Sequence, residues 1–284
     1  MVRFPERLMR PIDAPTFQRL LRHEAEVHAT PGRELRDLGD GLLLHDPKDP
    51  EPFWNRLEGL RWPSEPAAFD RRLAEVGILF ATLGRQPHVW LGPPHDEPAD
   101  LAARLLANGF EDMGKGLLMV ARDADRARLA LQGPPDPEIT LERLSGLEGS
   151  VADAAADAVV SVLLSAFGVE GNRKVGVTAE TRTSLADSRF THYLVRHRGE
   201  PAAVARRATF DGLSYLSSIG TLGWARGRGL GRLVTASAMI DAAEAGSELI
   251  HLGVFADNAP AIALYDRLGF VMGCEPGPDM LLIG

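Results

Sequence analysis

Arg226-Gly-Arg-Gly-Leu-Gly231 follows an apolar, strand-like run and opens an amphipathic helix. A helix leaves its first four N–H groups without intrahelical acceptors and carries partial positive charge at that end. An anion placed there is stabilised by both effects. Gly227, Gly229 and Gly231 remove the Cβ atoms that would hold a phosphate off the backbone, and they permit a turn with positive φ. Arg226, Arg228 and Arg232 add charge-assisted donors around it. Leu230, Leu233, Val234 and Ile240 then recur on one helical face, with the small Ser237 between them. A glycine-rich turn under a solvated arginine cluster would share this composition. Two other phosphate motifs are excluded. A dinucleotide fingerprint starting at Gly227 needs glycine where Arg232 stands, and no Gly-Lys precedes a Ser or Thr as a P-loop requires.

The stretch that follows narrows the choice. Glu248–Phe255 is a short apolar run consistent with a buried strand. Asn258 is placed to cap a helix, Pro260 falls in its first turn, and Ile262, Leu264, Tyr265 and Leu268 follow at helical spacing up to Gly269. Asn258 and Tyr265 stand two turns apart along one face. Tyr265 could equally be a core aromatic, and Asn258 a plain cap.

The two stretches together resemble the GNAT superfamily of N-acetyltransferases, from about Ile139 to the C-terminus. Arg226, Gly229 and Gly231 match its R/Q-x-x-G-x-G/A loop. Asn258, Ala261, Tyr265, Gly269 and Phe270 match its N-x-x-A-x-x-x-Y-x-x-x-G-F signature. The resemblance implies an α+β fold with a mixed, largely antiparallel sheet split at the cofactor site. It implies acetyl-CoA as donor, held by Arg226 through Arg232 (Leu230 included) and by Asn258. The pantetheine arm would pair with the strand Leu213–Leu222 through the backbone of Ile219, Gly220 and Thr221. Tyr265 would be the general acid. A phenol suits that role: an amine attacks the thioester carbonyl, a backbone donor stabilises the oxyanion, and the expelled thiolate takes a proton. No enzyme nucleophile is needed, and proximity of two bound reactants supplies most of the acceleration.

The general base is less defined. Members of the superfamily often carry a glutamate on or near the strand before the loop, but Leu213–Trp224 has no acidic residue. Glu170 in Gly168-Val-Glu-Gly171 is the first substitute and Asp211 the second, with a water relay an equal alternative to either. The expected activity is acetyl transfer to a primary amine by direct attack, the acceptor being a small molecule or a protein N-terminus or lysine. The alternative is an acyl-CoA-binding or sensor module without turnover, which the missing strand glutamate would explain.

Composition bounds the rest. The 284 residues are enough for two domains, and a formal net charge of −8 argues against a nucleic-acid binder while tolerating a cationic acceptor. Cys274, the single cysteine, excludes an internal disulfide and reads as a small buried hydrophobe. The N-terminal stretch has no apolar signal region, and no run reads as long enough to cross a membrane, so a cytoplasmic location is expected. His23-Glu-Ala-Glu-Val-His28 misses the zinc-protease spacing because position 27 is Val27, and no metal site is expected. No G-x-S-x-G elbow occurs. Trp54, Trp62, Trp90 and Trp224 read as core or rim packing.

Leu131–Pro137 breaks regular structure, which places an N-terminal domain over 1–131, a linker over 132–138 and a catalytic domain over 139–284. The second half reads as a strand at Ile139–Leu144, a helix from about Leu147 to Phe167, and strands at Thr191–Arg196 and Ala202–Phe210. The first half resembles a degenerate second copy. At an offset of 160, Gly109-Phe110 falls on Gly269-Phe270 and Leu105 on Tyr265, with a helix over Phe69–Leu83 where the cradle helix belongs. That copy lacks both the glycine loop and the phenol.

Overall fold

The computed structural model describes residues 4–133 and 136–283; Pro134 and Pro135 of the expected linker, and the first three residues of the N-terminal stretch, lie outside the described residues. The chain divides into two compact units. Unit 1 holds the described residues up to Met119, then Gly253–Ile262 and the residues from Val271 on; unit 2 holds Val120–Leu252 and Ala263–Phe270.

In unit 1, Asp13 caps α1 (Ala14–Ala29) by accepting from the Thr16 N–H at 2.9 Å. Strands β1 (Glu34–Asp37), β2 (Leu42–His45) and β3 (Arg56–Glu58) follow. Helix α2 (Pro66–Leu83) starts a turn earlier than its apolar spacing indicates. Glu65 accepts from the N–H groups of Ala67 and Ala68, and Pro66 pre-sets the first turn. Strand β4 (His88–Trp90), helix α3 (Leu101–Ala107) and strand β5 (Phe110–Ala121) complete the first passage.

The chain continues with α4 (Asp125–Ala130), β6 (Ile139–Leu144), α5 (Gly149–Phe167), α6 (Lys174–Ala186), β7 (Phe190–His197), β8 (Glu200–Phe210), β9 (Leu213–Thr221) and α7 (Leu230–Glu244) in unit 2, then β10 (Leu249–Phe255) and α8 (Ala259–Leu268), of which Gly253–Phe255 and Ala259–Ile262 count with unit 1. The last strands are β11 (Val271–Met272) and β12 (Gly277–Leu282).

Within unit 1 the strands lie in the order β1-β2-β3-β4-β12-β5, antiparallel except for the parallel pair β3–β4. The end of the chain is thus inserted into the first unit: Met280 faces Val89 on one side and Asp112 on the other. Chain order and spatial unit part company for this reason, since β12 pairs with β4 and β5. The core packs α2 on the sheet through Phe69, Val76 and Phe80 against Leu43, Leu57 and Val89.

Unit 2 has the order β10-β9-β8-β7-β6, antiparallel except for β10–β9. This is the expected α+β, largely antiparallel architecture. Asp211 and Gly212 join β8 to β9 with φ of 50° and 72°, a two-residue hairpin of the primed type. Helix α5 is 19 residues long and apolar enough to cross a membrane by length and composition, which the sequence reading missed. It is a packing helix of unit 2: Val159, Val162 and Leu163 are buried against Leu194 and Val204. Helix α7 is pinned by Asp241, which takes two bonds from Arg143 (2.6 and 3.1 Å) and one from the Tyr193 hydroxyl (2.9 Å). Burial pushes the Tyr193 phenol above its ordinary range, so it stays a donor.

Candidate active site

The sequence-predicted cradle is a structured loop at a helix start. Gly227 and Gly229 both have φ of +77°, the left-handed region that favours glycine. Gly229 occupies the N-cap position of α7 without any side-chain cap, and the first helical bond runs from the Leu233 N–H to the Gly229 carbonyl at 3.0 Å. The N–H groups of Leu230, Gly231 and Arg232 precede that bond, so they are available to an anion. Arg226, Arg228 and Arg232 are exposed around the loop. Arg226 folds back to donate from Nε to the Thr221 carbonyl at 3.3 Å. The Arg232 guanidinium lies over Gly229, 3.4 Å from where a Cβ would stand.

Gly231 brings the loop against its neighbours. A Cβ there would sit 3.2 Å from Thr221 Oγ1 and 3.8 Å from Leu264 Cδ2. The helix start therefore abuts the end of β9 on one side and α8, at the residue before Tyr265, on the other. Tyr265 is 6% exposed and packs edge-on to Phe270 at 5.9 Å. Among the described residues its hydroxyl has no hydrogen-bond partner, and burial pushes its pKa up to about 12. The group is a neutral phenol at any physiological pH. Asn258, at the start of α8, accepts from the Ala261 N–H at 3.3 Å. It is a cap, as its position indicates.

Strand β9 carries a feature that the sequence does not signal. Val204 faces Gly220 while Arg206 faces Ser217, so Ala205 stands opposite two residues, Ser218 and Ile219. Ser218 adopts φ of +53° at this bulge. Parallel pairing to β10 ends at Tyr215–His251, just before the bulge. The Leu222 N–H donates to the Ala202 carbonyl at 2.9 Å. Strand alternation then turns the backbone groups of Gly220 toward β8, and those of Ile219 and Thr221 toward the edge away from it. Gly220 has a packing reason of its own, since a Cβ would meet Ala166 Cβ at 2.9 Å.

The candidate bases lie apart. Glu170 is exposed and takes a 3.3 Å bond from Asn172 Nδ2. Asp211 sits in the β8–β9 hairpin turn, at the end of β9 remote from Thr221 and about 30 Å along the strand at ~3.3 Å per residue, which removes it from consideration. The sequence reading missed a buried array centred on Arg206, 5% exposed. It donates from Nε to Ser217 Oγ at 3.0 Å and from Nη1 to Glu180 Oε1 at 3.1 Å. Glu180 lies on α6, an element absent from that reading, so β9 is linked to a carboxylate through a side chain. Next to it, His192 shares a 2.7 Å bond with Ser184 and is pushed down to about 3, by burial and then by Arg206. It is a neutral packing histidine. Trp224 is 52% exposed with its ring 5.9 Å from His197, so it is a rim residue and not part of the core.

Unit 1 has the corresponding parallel pair in β3–β4, whose pairing ends at Glu58–Trp90. Beyond that point its own chain fills the gap. Asp96 accepts from the Leu60 N–H (2.9 Å) through Oδ1 and from the Gly92 N–H through Oδ2. Glu97 adds two backbone bonds, from its N–H to the Leu60 carbonyl (2.9 Å) and from the Trp62 N–H to its own carbonyl (3.0 Å). Both splayed edges are thereby satisfied internally. Among the described residues no group of three His, Cys, Asp or Glu side chains could hold a metal ion.

Comparison with known proteins gives the same picture of the fold. Residues 158–270 match the model of the acetyltransferase (GNAT) family. The sequence has no match among curated proteins. A GCN5-related N-acetyltransferase from Kribbella flavida superposes with a TM-score of 0.69 at 20% identity over 97% of each chain. A functionally unknown conserved protein from Staphylococcus epidermidis gives 0.66 at 12% identity, over 88% of this chain and 94% of that one. A tandem GNAT protein from the clavulanic acid biosynthesis pathway gives 0.59 at 16% identity over 95% and 96%. The family match is thus confined to residues 158–270, and the solved structures share the fold over nearly the whole chain.

Proposed function

We propose that the protein is an N-acetyltransferase that moves an acetyl group from acetyl-CoA to a primary amine by direct attack. One observation carries this reading: the uncapped start of α7, with left-handed Gly227 and Gly229 and three arginines around it, lies against the residue preceding Tyr265. The N–H groups of Leu230, Gly231 and Arg232, which precede the first helical bond, would hold the diphosphate, with Arg226 and Arg228 as outer donors. The outward backbone of Ile219 and the Thr221 N–H would pair with the amide-bearing arm of the substrate, the Thr221 carbonyl being held by Arg226, and Asn258 would fix the start of α8. Tyr265 is a protonated phenol with no competing partner among the described residues, so it can give its proton to the departing thiolate. Glu170, or a water ordered near it, would take the proton of the attacking amine.

We read residues 1–131 as a degenerate copy of the same fold, joined through 132–138 to a catalytic copy over 139–284 whose last strand lies in unit 1. The Asp96 strap supports this, because it takes the backbone positions that a thioester arm would need. The setting is taken to be cytoplasmic. The second reading, an acyl-CoA-binding module without turnover, is favoured by the absence of any carboxylate on β9. The experiment is a screen of primary amines, including peptides with free N-termini and lysines, for thiol release from acetyl-CoA, paired with calorimetry of CoA binding. Binding without release by any amine selects the module. Absence of CoA binding removes both readings.

A further inference from the structure

Strand β9 changes character at its middle. Its parallel pairing with β10 ends at Tyr215–His251, and the bulge opposite Ala205 begins shortly after. A bulge adds one residue to its strand, so Ser217 and Gly220, three apart, stand opposite Arg206 and Val204, two apart on β8. All four therefore share a face of the sheet. It is the face of α5 and α6: Val204 packs with Val159 and Val162 of α5, a Cβ on Gly220 would meet Ala166 of α5, and Arg206 bonds to Glu180 of α6. Ser218, inside the bulge, has φ of +53°. A non-glycine residue there is strained, and such strain persists only where the surroundings over-determine the backbone.

Two ties flank that residue. After it, the Leu222 N–H donates to the Ala202 carbonyl at 2.9 Å. Before it, Arg206 Nε donates to Ser217 Oγ at 3.0 Å. The second tie is made by a buried cation, which needs an opposite charge to be tolerated. Glu180 supplies it, accepting from Nη1 at 3.1 Å. His192, opposite Arg206 on β7, adds no countercharge because burial keeps it neutral. The Phe190 ring lies 5.7 Å from the guanidinium carbon. Arg206 is thus fixed by α6 and by packing, and it passes that fixity to Ser217 through a charge-assisted bond.

We infer that Arg206 is a positioning residue for the thioester arm: by holding Ser217 it sets the bulge that turns the backbone of Ile219 and the Thr221 N–H to the free edge of β9. This rests on the acyl-CoA reading of that edge. The action is indirect, from Glu180 through Arg206 to Ser217 and so to the strand. Without the tie Ser218 relaxes toward negative φ and the edge is correctly turned in only a fraction of molecules, so apparent affinity for the arm falls by that fraction. The diphosphate half of the ligand, held at the start of α7, keeps its site.

Calorimetry of the full chain with CoA and with ADP separates the two halves, since ADP carries the diphosphate without the arm. Arg206→Met and Ser217→Ala should each weaken CoA by at least about fivefold, as loss of one charge-assisted bond would, and leave ADP within about twofold. Ser217→Thr keeps the hydroxyl and should bind CoA within about twofold of wild type. CoA affinity kept in Ser217→Ala, CoA and ADP weakened alike, or Ser217→Thr as damaging as Ser217→Ala would overturn the inference. If Arg206→Met fails to fold by circular dichroism, the two Ser217 variants decide, because they leave Arg206 and Glu180 in place. A wild type that binds no CoA removes the acyl-CoA reading itself, whereas binding that all variants share with wild type removes only the role of Arg206.

Discussion

Replacement of Tyr265 by Phe tests the acid assignment with two readouts that should move in opposite degrees. The ring is 6% exposed and stays in its edge-on contact with Phe270, so packing is retained. Its hydroxyl has no partner among the described residues, so no hydrogen bond is lost in the free protein and stability should change by less than about 1 kcal/mol. Turnover should change far more. A positioned acid contributes about 10²–10⁴ in rate, which is roughly 3–5 kcal/mol of barrier. The expected result is a kcat lowered by at least about a hundredfold in thiol release, with CoA affinity by calorimetry within about threefold of wild type. Burial holds the phenol at about 12 against an ordinary 10, so it remains protonated and competent up to about pH 10. The linkage sign follows. The unfolded chain loses this proton first, so the contribution to stability is complete below pH 10 and is lost as pH rises from 10 toward 12. Tyr265→Phe should reduce that alkaline loss, read as the difference in urea midpoints between the two proteins. An unchanged kcat refutes the acid role, and a large loss of CoA affinity shows that the ring's place in the fold has been misjudged.

Gly229→Asp should fold at a cost of about 1–2 kcal/mol for the left-handed φ, with Arg232, 3.4 Å from the new Cβ, able to pair with the carboxylate. It should abolish CoA binding by placing a negative charge in the anion cradle, and calorimetric affinity within threefold of wild type would remove the cradle from the mechanism. Asp96→Ala should cost about 2–4 kcal/mol in urea unfolding, since the N–H groups of Leu60 and Gly92 lose their acceptor. The pH dependence of that difference is a second check. Burial lifts the Asp96 carboxyl from 3.8 to about 6, so the native state keeps its proton while the unfolded chain releases it. Its contribution is therefore greatest below about pH 4 and declines as pH rises to 6, by about 3 kcal/mol at most. The gap between wild type and Asp96→Ala should narrow over this window; a gap that widens would contradict the burial argument.

What the chain discloses locally, it discloses well. The glycine loop, the uncapped start of α7, the cap at Asn258 and the helix carrying Tyr265 all depend on residues within a turn or two of each other. The features that escaped are set by contacts distant in sequence. Strand β12 carries no local signal of its place, which is set by pairing of Met280 with Val89 and Asp112, far away in sequence. Ser218 has no glycine or asparagine to announce its left-handed φ, because the bulge is imposed by the register of β8 against β9. Helix α6 buries only Thr181, Ser184 and Leu185, a stripe too polar to register as periodicity, and Glu180 was overlooked with it. Asp96 in His95-Asp-Glu-Pro98 has the composition of a solvated loop, yet it is 8% exposed and bridges two strands.

The two units resolve the same backbone difficulty in different ways. Where a parallel pair stops early, each strand is left with N–H and C=O groups along its inner edge, and buried groups of this kind need partners. In unit 1 the partners are covalently attached: the Asp96 carboxylate and the Glu97 backbone sit a few residues beyond β4, so they are always present and nothing can exchange with them. In unit 2 the bulge at Ser218 turns Ile219 and Thr221 away from β8 just after pairing with β10 has ended at Tyr215, and the glycine cradle stands at the far end of the same edge. On the proposed reading the transfer chemistry belongs to unit 2, because an edge that is not strapped from within can take and release a dissociable arm.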